Sequence, residues 1–401
     1  MYTKGLPFSS CRIFKKKARN RHFFLKKLAS FEKYTYLWPQ TTKINFKTTR
    51  VMKKMNYLFG AAAVAIAMVL ASCSANDLPV DPNEPKIHNG DDLVDVIANS
   101  ENLEIIYGVP TLNLPAGVSL TLNDAIETNI PLTIKGDLVN PATIKIGELG
   151  QFITTGSIHL ENVIIDASEQ TQPLVTLGVE APEEWQASFI TFANVNVYGL
   201  KKALTYAACK NYYVVSNVDN CCIHVAADVT VFDYTKGSAA TIFNISNSTI
   251  WAPEATTKSL YSSQGGQKAT EYNADATQQF QFENSTFYNL TKSKNIFSHR
   301  QSNQKWLGYT VKDCIFVNCG KKGQTIKGLN GGQGGANPVW DISGNVFNFE
   351  DADTSADETT GDEEEPVKDS KAVVVKFVDA ATGNLSQKDA AAGDPRWIPL
   401  M

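Results

Sequence analysis

Few groups of residues in this sequence have the types and spacing that chemistry requires. Cys222 and His224 could ligate a metal ion, but two ligands on one strand do not make a zinc site, so buried packing is the favoured interpretation. Asp351 and Asp353 have the spacing of a calcium loop, but the glycine and the bidentate glutamate of such a loop are absent. No histidine after residue 73 lies in a nucleophile-elbow motif. The sequence therefore predicts no metal site and leaves any catalytic residue unknown.

Cys73 has the clearest chemical role. A basic pair of lysines precedes an apolar stretch, residues 57–71, which has the length of a signal-peptide core. The stretch closes with Leu-Ala-Ser-Cys at 70–73, which resembles the bacterial lipobox, where the cysteine thiol is diacylated before cleavage. An ordinary signal with an incidental cysteine is the alternative. We expect a lipoprotein signal peptide over 52–72, lipidation at Cys73 and a tether over 73–90.

Charge is divided unevenly along the 401 residues, whose formal net charge is -4. Residues 1–72 hold 15 Lys/Arg and one acid, which leaves 22 basic and 40 acidic side chains in the rest. An acidic surface repels phosphates, so nucleic acid is not an expected partner. Residues 1–51 are best explained by a start codon assigned too early, with Met52 or Met55 as the start. A basic nucleic-acid-binding arm is the rival, but it would be removed with the signal.

Cysteine usage gives no disulfide framework. Five cysteines follow Cys73, and an odd number cannot all pair within the chain. Cys314 lies beside apolar residues in a strand pattern, where a thiol behaves as a small hydrophobe.

The chain after the tether repeats itself. A run with two-residue hydrophobic period, a short turn and a second apolar run recur at spacings of 32, 23, 30, 37, 29 and 31 residues. Asn, Asp and Gly tolerate left-handed backbone dihedrals, so one residue can bend each strand into the next. The predicted turn residues are Asn162, Asn194, Asn217, Asn247, Asn284, Asp313 and Gly344.

These repeats predict an all-β fold, a parallel β-helix over residues 91–349. A third strand candidate precedes the next pair in several coils, at 174–177, 231–234, 260–262, 295–298 and 325–327. The open first coil needs a cover, and residues 91–99 place Leu93, Val96 and Ile97 on one helical face. We expect a short N-terminal capping helix there.

The C-terminal part contains one interruption. Residues 350–365 include nine acidic and no basic side chains, so we expect a solvated acidic loop or linker over 350–371. Residues 372–401 are expected to supply a final strand and a C-terminal cap that packs back on the last coil. In that cap, Arg396 and Trp397 are interpreted as structural.

Three features together resemble a known group of proteins: the segment 131–136 after a short helix, the Asn-turn coils and the ending Gly-Asp-Pro-Arg-Trp at 393–397. The chain resembles surface lipoproteins of anaerobic gut bacteria that adopt the pectate-lyase-like right-handed β-helix, are often encoded beside glycan-uptake systems and mostly have no assigned activity. The likeness covers about residues 90–400 and depends on coil pattern rather than on a catalytic signature. It implies a lipid-anchored protein of the outer membrane, exposed on the cell surface.

The resemblance also implies a place for a ligand. In that fold, polysaccharide lies in a groove along the first strand of successive coils. Cations there could bind uronate carboxylates, while aromatic faces stack on sugar rings. Ordinary solvated side chains are the alternative interpretation, since a shift of one residue in register turns every side chain to the other face. The residues in and near the matching stretches are Lys236, Trp251, Tyr261, His299, Arg300, Trp306 and Lys327.

Three functions from different classes fit the sequence. The favoured one is non-catalytic binding of polysaccharide in a glycan-utilisation system. The second is a polysaccharide lyase or hydrolase acting on acidic glycans, which would require calcium with Arg300 or Lys327 as base, or facing carboxylates. The third is a structural or adhesive surface protein. We expect a monomer. We expect no cofactor, except calcium if the protein is a lyase. The expected partners are polysaccharide, the membrane through Cys73, and outer-membrane glycan-uptake proteins.

Overall fold

The computed structural model describes residues 86–184, 186–263, 278–291, 296–299, 307–319, 339–348, 371–372, 375, 377–387 and 392–398. These residues form a parallel β-helix with very little helix, as the repeats predict. Helix α1 spans Leu93–Ala98, and single 3-10 turns lie at Ser100–Asn102, Ala380–Thr382 and Pro395–Trp397. None of the described helices is long and apolar enough to cross a membrane.

Three sheets make up the wall of the solenoid, and a coil passes through sheets A, C and B in turn. Sheet A contains β3 (Ser119–Leu122), β6 (Ala142–Ile146), β9 (Val163–Asp166), β12 (Asn196–Leu200), β15 (Cys222–Val225), β18 (Thr249–Trp251), β21 (Thr286–Tyr288), β24 (Ile315–Val317), β26 (Val346–Asn348) and β27 (Lys371–Ala372). Sheet C contains β4 (Ala125–Thr128), β7 (Gln151–Thr154), β10 (Val175–Leu177), β13 (Thr205–Ala207), β16 (Phe232–Tyr234), β19 (Tyr261–Ser263) and β22 (Phe297–His299). Sheet B contains β1 (Leu103–Ile106), β2 (Val109–Asn113), β5 (Leu132–Lys135), β8 (Ile158–Glu161), β11 (Gln186–Ala193), β14 (Tyr212–Asp219), β17 (Ala239–Ser246), β20 (Gln278–Glu283), β23 (Leu307–Lys312) and β25 (Val339–Ser343).

Stacking in register builds the core. Every described strand pair is parallel except β1 with β2, so a given position in one coil lies directly above its counterpart in the previous coil. In sheet B, Leu160, Phe192, Val218, Ile245 and Phe282 form one such inward column, and all are buried. Because side chains alternate across a strand, the intervening residues face outward. The two-residue hydrophobic period in the sequence is the direct cause of this arrangement.

A left-handed residue joins sheet B to sheet A at the same corner of successive coils. The backbone φ is positive at Asn162, Asn194, Asn247, Asn284, Asp313 and Gly344, with values between 48° and 70°. The prediction for Asn217 is wrong, because this residue lies within β14 and pairs with neighbours in both adjacent coils. The turn there is Asn220, with φ 53°. Two asparagines three residues apart follow the same apolar run, and local spacing alone does not distinguish them.

Asparagine side chains also connect the coils at this corner. The Nδ2 atom of Asn194 donates to Oδ1 of Asn162 at 2.9 Å, and Asn220 Nδ2 donates to Asn194 Oδ1 at 3.2 Å. The ladder supplies partners for amide groups that the tight turn would otherwise leave unpaired.

The N-terminal cap forms where the sequence places it. Asp92 caps α1 by accepting a hydrogen bond from the backbone N–H of Val94 at 2.9 Å. Leu93, Val96 and Ile97 are buried against the first coil. The helix therefore covers the open end of the apolar column.

The C-terminal segment packs differently from the expectation. It does not cap the last coil alone but crosses the outer face of sheet A. Its Asp394 carboxylate accepts a hydrogen bond from Thr249 Oγ1 at 2.7 Å, and its backbone N–H donates to Thr286 Oγ1 at 3.0 Å. The predicted final strand is described only in part: β27 is Lys371–Ala372, Val375 and Phe377 are not in a strand, and residues 349–370, 373–374 and 376 lie outside the described residues. We call the described residues 375, 377–387 and 392–398 the C-terminal strap.

Candidate functional site

Among the described residues, the structure keeps two of the predicted groove residues along sheet C and removes two others from the groove. Lys236 is exposed in the loop between β16 and β17. His299 ends β22. Trp251 and Tyr261 are buried, with 7% and 0% of their surface exposed. Arg300, Trp306 and Lys327 lie outside the described residues.

Tyr261 is a core residue, so its assignment to the groove is wrong. Its ring packs edge-on against Phe280 at 5.1 Å and Tyr234 at 5.6 Å between centroids. Its hydroxyl oxygen accepts a hydrogen bond from the backbone N–H of Ala240 at 3.0 Å. Burial raises the pKa of this phenol to about 12. The physical reason for the correction is register, because β19 turns Tyr261 inward and Ser262 outward.

Trp251 is also misassigned, because β18 belongs to sheet A and the C-terminal strap covers that face. Its indole stacks on the imidazole of His224, with centroids 4.4 Å apart and planes 17° apart. Gly383 of the strap lies against the same indole ring. His224 and Cys222 therefore lie on the outer face of sheet A, and among the described residues no group of three possible metal ligands occurs.

The outward row of sheet C is the surface that the predicted groove would use. One side chain from each coil lies in register along it: Thr176, Tyr206, Asp233, Ser262 and Ser298. Thr176 and Ser262 are buried although they face outward, whereas Tyr206 and Asp233 are partly exposed. A recessed row with partly exposed members has the character of a groove floor. We call these five residues the sheet C row.

Tyr206 and Asp233 are neighbours in this row and influence each other. Burial raises the pKa of the Tyr206 phenol, and the Asp233 carboxylate raises it further. Asp233 Oδ1 accepts hydrogen bonds from Thr235 Oγ1 at 2.7 Å and from the Thr235 backbone N–H at 3.0 Å. A carboxylate can accept about four hydrogen bonds, so this one is oriented and retains capacity for a ligand hydroxyl.

The charge of the groove rim changes along its length. The loop after β10 carries exposed Glu180 and Glu184, whereas the loops after β13 and β16 carry exposed Lys210 and Lys236. Gly237 lies against the Lys210 side chain, so these two loops are adjacent. The aromatic and acidic members of the row are thus flanked by two cations.

The row does not contain a pair of carboxylates at catalytic distance. Glu127 of β4 shares the register of Asp233, but four strand spacings separate them. At about 4.8 Å a spacing they are roughly 19 Å apart. Glycoside hydrolysis by two carboxylates requires a separation of about 5–10 Å. The described part of the groove therefore has the groups for binding sugar but lacks this catalytic pair.

The fold and this recessed row place the chain in the class of parallel β-helix proteins with an open outer face. Comparison with known proteins adds no particular identity, since no family model matches the chain and no curated protein is significantly similar to it.

Sequence reasoning missed Tyr206 and Asp233. A signal for Asp233 was present, because it is the one acidic residue in an otherwise apolar strand candidate, Val231–Tyr234. Tyr206 had none, since no third strand was predicted in its coil.

Proposed function

We propose that this chain is a surface lipoprotein that binds polysaccharide without cleaving it, with the sheet C row as its binding groove. The observation that carries the proposal is the register of the row, which places a phenol, a carboxylate and hydroxyl groups along one line. The anchor on Cys73, the outer-membrane location and the association with glycan uptake remain parts of the proposal.

Stacked coils suit a linear polymer. Side chains in the row recur about every 4.8 Å, close to the rise of one sugar residue in an extended chain. Sugar hydroxyl groups would meet Thr176, Asp233 and Ser262 in that order along the row, while the Tyr206 ring between Thr176 and Asp233 offers a face for stacking. Lys210 and Lys236 favour a chain that bears carboxylates, because a cation beside a uronate forms a charge-assisted hydrogen bond.

The test is retention of the purified full chain on immobilised neutral and uronate-containing polysaccharides, with and without calcium. We expect retention on a uronate-containing polymer without new reducing or unsaturated ends. Tyr206→Ala should weaken affinity about 2- to 10-fold, as expected from loss of one stacking contact. Asp233→Asn should weaken it about 10-fold, because the charged acceptor is lost.

Tyr198→Ala is the matched control, since Tyr198 is 51% exposed but lies in sheet A. If all three variants bind as the wild type does, the groove assignment is overturned. New chain ends would replace the binding function with a lyase or hydrolase. Absence of both retention and cleavage would favour the structural or adhesive role.

A further inference from the structure

The first two strands of sheet B form a hairpin with an exposed apolar tip. Strands β1 and β2 pair antiparallel, and Tyr107 and Gly108 make the turn with φ 50° and 82°. Ile105, Ile106 and Tyr107 are 61%, 40% and 100% exposed. We call these three residues the hairpin tip. Apolar side chains exposed together on a loop are uncommon unless they contact a partner.

Exposed apolar side chains are concentrated at the same end of the solenoid. Of the ten large apolar residues exposed in the described part of the chain, six lie between 105 and 149, in the first coils. The ten are Ile105, Ile106, Tyr107, Leu138, Val139, Leu149, Val179, Phe189, Tyr198 and Val378. The later coils carry only isolated examples. The end that begins with β1 therefore differs chemically from the rest of the described surface.

The chain enters the solenoid at this end. Asn89 Oδ1 accepts from the backbone N–H of Ser119 at 2.8 Å, and the Gly90 N–H donates to the Ser119 carbonyl at 2.7 Å. Both contacts fix the entering segment to β3 in the first coil. Cys73 lies thirteen residues before Lys86, a span of at most about 45 Å when fully extended. A lipid on Cys73 would therefore hold the end of the solenoid that begins with β1, rather than the end that contains β25, close to the bilayer.

We propose that the hairpin tip inserts into the interfacial region of the bilayer that holds the anchor. This inference rests on the proposed lipidation of Cys73. Tyrosine suits the membrane–water interface because its ring is apolar and its hydroxyl is polar, and the two isoleucines bury well beside it. A tether of this length keeps the tip at an effective concentration of about millimolar, so a weak interaction is enough.

The charges beside the tip specify the type of surface. Glu104 is exposed in β1, Glu101 is exposed in the 3-10 turn just before it, and Lys86 is paired with Glu101 at 3.3 Å. No lysine or arginine lies between 87 and 134. An anionic surface would repel this segment, so the tip is assigned to a zwitterionic one.

The experiment uses the full lipidated chain reconstituted in phosphatidylcholine vesicles, with the Cys73→Ser chain mixed with the same vesicles as the unattached reference. Backbone amide exchange is followed by mass spectrometry. We expect exchange in residues 103–109 to slow at least threefold on attachment. Tyr107→Asp should abolish that slowing, because a charge at the tip opposes insertion, and aspartate tolerates the positive φ of this position. Tyr198→Asp is the matched control and should keep the slowing.

Equal exchange in residues 103–109 of attached and unattached protein would overturn the proposal, as would equal slowing in the Tyr107→Asp chain. The mass of the N-terminal peptide reports acylation separately. An unacylated Cys73 would overturn the anchor and this contact together, while glycan retention in the same preparation would still report on the groove.

Discussion

At the scale of single residues, the left-handed corner between sheets B and A is the most demanding position in the coil. Alanine adopts the left-handed conformation of position 220 less readily than asparagine does. Asn220→Ala also removes the side-chain hydrogen bonds to Asn194 and Arg396. We expect Asn220→Ala to lower the free energy of unfolding by about 1–3 kcal/mol. Denaturant titration measures the loss.

Asn217 provides the control, because it lies in β14 with ordinary strand geometry. Asn217→Ala should lower the free energy of unfolding by about 1 kcal/mol or less, chiefly through its bond from Asn244. A larger loss for Asn217→Ala than for Asn220→Ala would contradict the assignment of the turn.

Residue-level errors in the predicted site have physical causes. Tyr261 lies in a strand of three residues, which is too short for alternation to indicate which side chains face the core. All three side chains of β19 are buried, so the burial pattern of this strand shows no alternation even in the structure. The eight-residue run of β11 gave a clear register and a correct turn at Asn194, whereas the turn predicted after β14 was placed three residues too early.

At the scale of elements, the C-terminal strap is attached to the coils through Asp394 and Arg396, which bond to residues of the wall and also pair with each other. Asp394 is 1% exposed at its side chain, and its Oδ2 lies 2.8 Å from Arg396 Nε. Burial raises the pKa of this carboxyl, and the Arg396 guanidinium opposes the rise. Trp397 Nε1 donates to Thr249 Oγ1 at 2.7 Å, which adds a second attachment.

Removing one partner of the pair should release the strap. Arg396→Ala leaves a buried carboxylate without its cation, and we expect the free energy of unfolding to fall by about 3 kcal/mol. Amide exchange in residues 392–398 should accelerate before exchange in the coils. The double variant Asp394→Asn with Arg396→Met removes the unpaired charge and should recover part of the loss. Equal losses in the single and double variants would contradict the cost assigned to the unpaired carboxylate.

Most elements could be predicted from periodicity, but the strap could not be placed. The capping helix and several third strands follow from local pattern, and the structure has strands at the candidates 174–177, 231–234, 260–262 and 295–298. The position of the strap depends on contacts such as Asp394 with Thr249, which are 145 residues apart. No local spacing encodes such a contact, so Trp251 could not be recognised as covered.

At the scale of the whole molecule, the core contains several ionisable groups that burial keeps neutral. Burial raises the pKa of the Cys221 and Cys319 thiols and of the Tyr212 and Tyr261 phenols to about 12. An unfolded chain would lose these protons near pH 9–10. The folded state therefore binds more protons in alkali, and its stability falls as pH rises.

We expect the free energy of unfolding, measured in urea, to be unaffected by these groups below about pH 8 and to fall steadily above about pH 9. Cys319→Ala should reduce the slope above pH 9, whereas Cys222→Ala should change it less because Cys222 is only partly buried. A stability that is constant to pH 11 would contradict this account.

The strap also constrains the order in which the molecule can be completed. Sheet A presents Ile315, Val317 and Val346 on its outer side, and strap residues including Ala392 and Phe377 pack on them. During synthesis these strands emerge before the segment that covers them, so a nascent or truncated chain would display an apolar strip. The apolar strip is therefore covered only after the C-terminal strap has packed on sheet A. Until then it is accessible to chaperones, proteases and other copies of the chain.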